Sequence, residues 1–409
     1  MMKNKQGSVI VFALVIITSI ISMIMFFVMA AQNMMVKSTA HGLGDLWAVS
    51  ILGEYDSKLY ERYGIFGYYG DESLVENKLQ YYVDYTYKDK SYASCRVDDV
   101  ELYPYTLVDA DNLLEQIRII CAMDLIGDIV LGNNKTLESG SYDDYEESGP
   151  GHLYNSSEIH SLPSYGRTAN SFLDRSKELI KSLTSVRDIV KKGTDNYLIN
   201  RYIDSKFRNL FSSDPPKDTF FSGEQEYIAC GLYSDEENRK SVRNRIIAMR
   251  EVMNLAFIET NPEMSSAIRA AAATLTAGVG EEVGAQLIMA SWAFAESIND
   301  YRLLTQGKPV PLNKTRSSWA TDLDSVLKNT NKGCIDTGNR KGDYYNDYIM
   351  YLLFLVDEDT RLLRIMDLIQ LNLKYTYRSD FLLKDHYVGL KYNLNANGEK
   401  YEFEEKYQE

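Results

Sequence analysis

GSVIVFALVIITSIISMIMFFVMAAQ, residues 7–32, is the stretch on which the reading of this chain turns. From Ser8 to Ala31 there are 24 residues without a charge, and the only hydroxyls are Ser8, Thr18, Ser19 and Ser22. Coiled as an α-helix, such a run is about 36 Å long, enough to cross a hydrocarbon layer of ~30 Å with some tilt. Lipid offers backbone groups no hydrogen-bond partners, so a spanning segment has to be helical. Lys3 and Lys5 precede it; Lys37 and His41 follow, and then Asp45, Glu54 and Asp56. That bias places residues 1–7 in the cytoplasm, 8–31 across the membrane and the rest outside the cell membrane. Val28 and Ala30 offer small residues to a signal peptidase. The apolar run, however, exceeds the roughly 7–15 residues of an export signal, so a retained anchor is expected.

The pattern continues outward without a break. Ala40, Leu43, Trp47, Ser50, Ile51 and Tyr55 recur at helical spacing, and no proline intervenes before Pro104. One long helix is expected, lipid-facing first and amphipathic over 32–64, ending at Tyr63 and Gly64, where glycine permits a C-cap. Ala30, Ala31, Ala40, Gly42, Gly44 and Ala48 would let another helix or the protein's own outer domain approach closely.

Several stretches carry a resemblance. GSVIVFALVIIT after Lys5 resembles the start of the TadE/TadG class of pseudopilin-like membrane proteins of Tad (Flp-type) pilus systems. EYDSKLYERYGIFGY, EQEYIACG, NRIIAMREVMNLAFI, ASWAFAESINDYRLL, VPLNKT and DYIMYLLFLVDEDTRLLRIMDLIQLNL resemble a clostridial-type family of such proteins whose function is unknown. The resemblance implies a minor pilin or accessory component of a Tad-type pilus or secretion assembly, with processing near Gly7 and Ser8. Members processed as pilins carry glutamate at the fifth position after the glycine; this chain has Phe12 there. Permanent anchoring is therefore the expectation.

Beyond the anchor, 65–409 reads as an extracytoplasmic α+β domain, mostly helical. A small β-sheet is expected from early and C-terminal strands, with a large helical insertion at about 168–375. Residues 92–107 alternate as strands do. Asp109 or Asp111 can cap a helix over 112–130. Residues 132–166 are polar, acidic and rich in glycine, and read as a flexible loop. Helices are expected at 168–192, 195–211, 262–277 and 281–304, and one to about 259 behind a capping box of Ser234 and Glu237. DPPK at 214–217 stops helical structure, and TFFSGEQEYIACGLY reads as strand. AQLIMASWAFAES is apolar on nearly all sides and reads as a buried central helix. DYYNDYIMYLLFLVDEDTRLLRIMDLIQLNLKYTY makes a helical pair jointed near Asp357. At the end, Val388, Leu390, Tyr392 and Leu394 share one face, answered by Tyr401 and Phe403 across a hairpin turn at 395–398.

The net charge of −14 leaves little to neutralise phosphates, which excludes a nucleic-acid partner. The 31 tyrosines outnumber the 14 phenylalanines, which suits half-exposed surfaces where a ring packs and its hydroxyl stays wet. Cys95, Cys121, Cys230 and Cys334 lie far apart, without zinc spacing; two disulfides are arithmetically possible outside the membrane, but buried or isolated thiols are the preferred reading. His41, His152, His160 and His386 sit in no catalytic pattern. Gly278, Gly280 and Gly284 depart from the dinucleotide fingerprint by one place and read as a turn between helices. Asn393, Asn395, Asn397 and Glu404 share the spacing of a calcium loop, but Asn stands where Asp is usual and the flanks read as strands, so a hairpin turn is preferred. Asp143, Asp144, Glu146 and Glu147 read as a solvated charge run. Arg361 lies near Arg364 and Asp367, which are three apart, as in an ion pair on a helix surface. No catalytic residue, cofactor or firm metal site is assigned.

The functional expectation is a non-enzymatic, single-pass envelope protein. Its partners would be membrane lipid, other membrane proteins of the assembly, and further copies of itself through the N-terminal helix. The alternatives are a cell-surface enzyme acting on wall polymer and a secreted binding module released by signal peptidase.

Overall fold

The computed structural model describes residues 5–131, 150–167, 195–212, 218–275, 280–330 and 333–407, with the side chains of 5–8 and 125–131 also left aside. The helix expected at 168–192, the DPPK stop, Gly278 and the carboxylates Asp143, Asp144, Glu146 and Glu147 lie outside the described residues. The fold is mostly helical, with a long apolar N-terminal helix and small antiparallel sheets from early and C-terminal strands. Contacts divide the chain into two compact units. One comprises Met1–Glu61, Phe66–Asn112 and Leu383–Glu409; the other comprises Arg62–Ile65 and Leu113–Leu382.

The first unit is built on helix α1, Lys5–Leu52. It stops twelve residues short of the expected Gly64, as 64 − 52 gives. The chain turns at Gly53 and Glu54, and Asp56 then caps a separate short helix α2, Ser57–Tyr63, by accepting from the amides of Lys58 and Leu59 at 2.9 and 3.2 Å. A competing N-cap so close to the glycine favours two helices over one. Gly64 does take a left-handed conformation after α2, with φ of 73°.

Next come β1, Tyr68–Tyr69; α3, Glu72–Tyr87; and β2, Cys95–Glu101. At the C-terminal end of the sequence, β3, His386–Tyr387, pairs with β1, and β4, Gly389–Ala396, lies between β2 and β5, Glu399–Lys406. Leu394 faces Tyr401 and Tyr392 faces Phe403 across the hairpin, as their spacing predicts. Asn397 and Gly398 both have positive φ, 51° and 83°, which matches the right-handed twist of the strands they join. Val36, Ala40, Trp47, Ala48 and Ile51 form a buried stripe on α1, in one core with Leu79 and Val83 of α3 and Leu390, Tyr392 and Leu394 of β4. A helix seated on a sheet is how each hides its apolar face.

The second unit is helical among its described residues. α4, Ala110–Leu131, begins at the boundary, its first amides capped by Asp109. Then follow α5, Ser156–His160; α6, Asp195–Lys206; α7, Glu224–Cys230; α8, Asp235–Thr260; α9, Pro262–Leu275; α10, Glu281–Thr305; α11, Leu323–Leu327; α12, Tyr345–Leu355; and α13, Glu358–Thr376. Asp357 caps α13 through the Thr360 amide at 2.9 Å, at the joint expected there.

Three expectations are corrected here. α7 is a helix where strand was read: its three polar side chains are held by backbone elsewhere, and Gly231, at φ of 69°, closes it. Residues 150–166 are folded in place of a flexible loop. Leu153 and Leu162 are buried, and His152 pairs with Ser234. The stretch AQLIMASWAFAES is buried on one face only. Trp292, Ala293, Glu296 and Ser297 are inside, whereas Leu287 and Phe294 are 65% and 46% exposed. Its interior is partly polar, because Glu296 finds a buried cation.

Candidate functional site

Two features stand out from the fold. The first is the outer surface of α1. Every Val, Ile, Leu, Met and Phe from Val9 to Met29 is exposed, on all sides of the helix. Two hydroxyls in this run bond within the helix: Thr18 donates to the Leu14 carbonyl at 3.0 Å and Ser19 to that of Val15 at 2.8 Å. An apolar surface with its polar groups satisfied internally is what a hydrocarbon environment demands. This helix is long and apolar enough to cross a membrane. Gly7 and Ser8 lie near its start, and Phe12 is exposed.

The small residues divide. Ala40, Gly44 and Ala48 lie in the core of their own unit. The Tyr392 hydroxyl donates to the Gly44 carbonyl at 2.9 Å. Ala31 and Gly42 are exposed, Ala30 is half-buried, and nothing lies within 4 Å of where a Gly42 side chain would begin. Only this second group is open to another helix.

The second feature is a set of buried polar side chains in the helical unit. Arg250 on α8 is fully buried and donates to Asp300 Oδ2 at 3.0 Å, Asn254 Oδ1 at 3.1 Å and the Leu312 carbonyl at 2.8 Å. Lys314 donates to Glu296 Oε1 and Asp300 Oδ1, both at 2.6 Å, and to the Ser318 carbonyl at 3.1 Å. Glu296 Oε2 accepts from the amide and hydroxyl of Thr321, both at 2.8 Å. Two cations thus meet two carboxylates, with backbone filling the remaining positions. Such a network fixes how α8 and α10 meet the segment 310–321, since breaking it leaves an uncompensated buried charge.

A neighbouring cluster is acidic. Glu224 accepts from Arg208 N at 3.1 Å and Asn372 Nδ2 at 2.6 Å. Glu226 Oε1 accepts from Leu210 N at 3.1 Å and the Tyr345 hydroxyl at 2.9 Å, while its Oε2 is buried without a hydrogen-bond partner. Burial pushes both carboxyls up to about 7. Asp367 accepts from Ser164 N at 3.0 Å and the Tyr227 hydroxyl at 2.8 Å, and burial pushes it up to about 6. This corrects the surface ion pair expected of Arg364 and Asp367. Arg364 instead donates to the Ile228 carbonyl at 2.7 Å, and Arg361 is fully buried with Asn200 and Asn196 as acceptors. Raised carboxyls often mark active sites. Here their oxygens accept from the backbone amides of 208, 210 and 164, tying those segments to α7 and α13.

The remaining candidates scatter. His41 is exposed beside Tyr401, His152 lies against Tyr154 and His160 against Tyr165. His386 is buried, with Nε2 3.4 Å from Asp56 Oδ2, a pair that sequence spacing could not indicate because 330 residues separate them. Cys95, Cys121, Cys230 and Cys334 are all free. Asn393, Asn395 and Glu404 lie along the β4–β5 ladder and Asn397 in its turn. Asn395 accepts from Gly398 N at 3.0 Å and Asn397 from Ser94 N at 2.7 Å, so these side chains serve the hairpin. Among the described residues no group of three or more His, Cys, Asp or Glu is placed to hold a metal ion.

No curated protein and no solved structure matches this chain. Residues 155–398, more than half of its 409 residues and the part that holds both polar clusters, match a family of unknown function (DUF5702). The chain belongs to that family.

Proposed function

We propose that this is a membrane-anchored, non-enzymatic envelope protein, acting as a TadE/TadG-like minor pilin or accessory component of a Tad-type pilus or secretion assembly. The observation that carries the reading is the two-faced α1. Its first half exposes apolar side chains all round, and its second half is continuous with that run yet buries a stripe against the C-terminal hairpin. A span locked in this way to a folded unit transmits force and position between membrane and exterior. Lateral assembly would use the faces that α1 leaves open. In lipid there is no hydrophobic drive between helices, so close approach at Ala30 and Ala31 and dispersion contacts along 9–29 would hold neighbours, with Gly42 open beyond the membrane. The lysines before the span support a cytoplasmic N-terminus.

The buried carboxylates of the helical unit favour the non-enzymatic reading, since each is engaged with its own backbone. The test is photo-crosslinking from lipid-facing positions 16 and 24 of the full chain in its native membrane. Recovery of pilus or secretion-assembly membrane proteins is expected. Crosslinks to lipid alone would contradict an assembly role.

A further inference from the structure

The lower end of the first unit converges on one level of α1. The Asn397 side chain in the β4–β5 turn donates to Asn33 Oδ1 at 3.0 Å. The Tyr92 hydroxyl lies 3.5 Å from Met35 Sδ, and the Tyr87 hydroxyl donates to the Val36 carbonyl at 3.0 Å. Three separate segments, the end of α3, the connection 88–94 and the hairpin turn, therefore reach down to residues 33–36. At ~1.5 Å per residue, Met35 stands about 6 Å beyond Ala31. The polar layer on each side of a ~30 Å hydrocarbon core is of that thickness, about 5–8 Å.

The composition of this end fits that layer. Tyr85 is 72% exposed, Tyr92 is half-buried, and Lys88 and Lys400 are exposed. Tyrosine and lysine are the side chains that settle where apolar tails meet polar heads. A groove of about 450 Å³ opens here, and Tyr87, Lys88, Lys90, Ser91, Asp84 and Asp89 are among its lining residues. Lysines beside carboxylates match a phosphate bearing an ammonium or hydroxyl head. Two lysines and two aspartates leave this lining without net formal charge, against −14 for the chain.

Resting on the anchor reading above, we infer that this end of the unit is seated in the phospholipid headgroup layer, with Tyr92 at the interface and a headgroup phosphate held by Lys88 and Lys90. The folded unit is then fixed in height and rotation by the bilayer surface as well as by its helix.

The experiment uses the full chain in vesicles of phosphatidylcholine and phosphatidylglycerol at about 7:3, with bromines near the headgroup end of the acyl chains as quenchers. Phe27→Trp reports the span and Tyr92→Trp the base, each corrected for the parent tryptophans, and Tyr85→Trp serves if Tyr92→Trp unfolds. Quenching of roughly threefold at Phe27→Trp and roughly twofold at Tyr92→Trp is expected. Adding Lys88→Glu and Lys90→Glu should cut the second value about in half. Quenching at Phe27→Trp with none at Tyr92→Trp, or no effect of the lysine reversals, would overturn this inference while leaving the anchor intact. No quenching at either would remove the anchor and the inference together.

Discussion

The Phe403 ring stands where a side chain on Gly44 would have to go: a β-carbon placed there would lie 2.1 Å from the Phe403 Cζ. The ring cannot readily give way, because it stacks on Tyr392 at 5.2 Å, whose hydroxyl is bonded to the Gly44 carbonyl. Gly44→Ala should therefore destabilise the first unit by about 1–3 kcal/mol through overpacking. Gly42→Ala, on the open face, should stabilise it by up to about 1 kcal/mol through helix propensity. Denaturant unfolding of the two purified variants in detergent measures the contrast. Equal effects would mean that the hairpin does not sit on α1 as described.

Lys314 is the cation between two buried carboxylates. Lys314→Met should cost the helical unit about 3–5 kcal/mol, because Glu296 and Asp300 would lose a partner while staying buried. Lys240→Met, which removes an exposed partner of Glu236, should leave stability essentially unchanged. Thermal unfolding of both variants decides whether the interior ion network holds the helices together.

Glu226 gives a pH signature. Its carboxyl is raised in the folded state, so between about 4.5 and about 7 the folded protein keeps a proton that the unfolded chain has lost. Stability contributed by this group is full below the unfolded value and falls as pH rises through that window, by about 1.4 kcal/mol per pH unit at most. Glu226→Gln has no such proton to lose. Relative to the parent it should gain stability between pH 5 and pH 8, measured as the difference in denaturant midpoints. A pH-independent difference would show that Glu226 is ionised in the folded protein.

Much of the first unit was legible in the sequence because its signals are local. The uncharged run, the stripe Ala40, Leu43, Trp47 and Ile51, and the facing sets Tyr392, Leu394 and Tyr401, Phe403 each follow a period set by one element. What failed was long-range. α7 looked like strand because its alternation was read without the backbone amides of 208 and 210 that donate to Glu224 and Glu226. The Arg364 and Asp367 pair looked exposed because nothing local announces Tyr227 and Ser164. The small residues of α1 could not be sorted into those facing Phe403 and those facing outward until the hairpin was in place. The polar clusters Arg250–Asp300 and Lys314–Glu296 lie within the quoted stretches NRIIAMREVMNLAFI, ASWAFAESINDYRLL and VPLNKT. Their charged residues, read one segment at a time, gave no hint of pairing.

An anchored role requires the span to remain attached to the folded units. Membranes from cells expressing the full chain can be extracted with alkaline carbonate and the protein's intact mass determined. A species that stays in the pellet and retains residues 8–31, with the hairpin cleaved by protease only from the outer side, is predicted. A soluble species starting beyond Ala31 would contradict it.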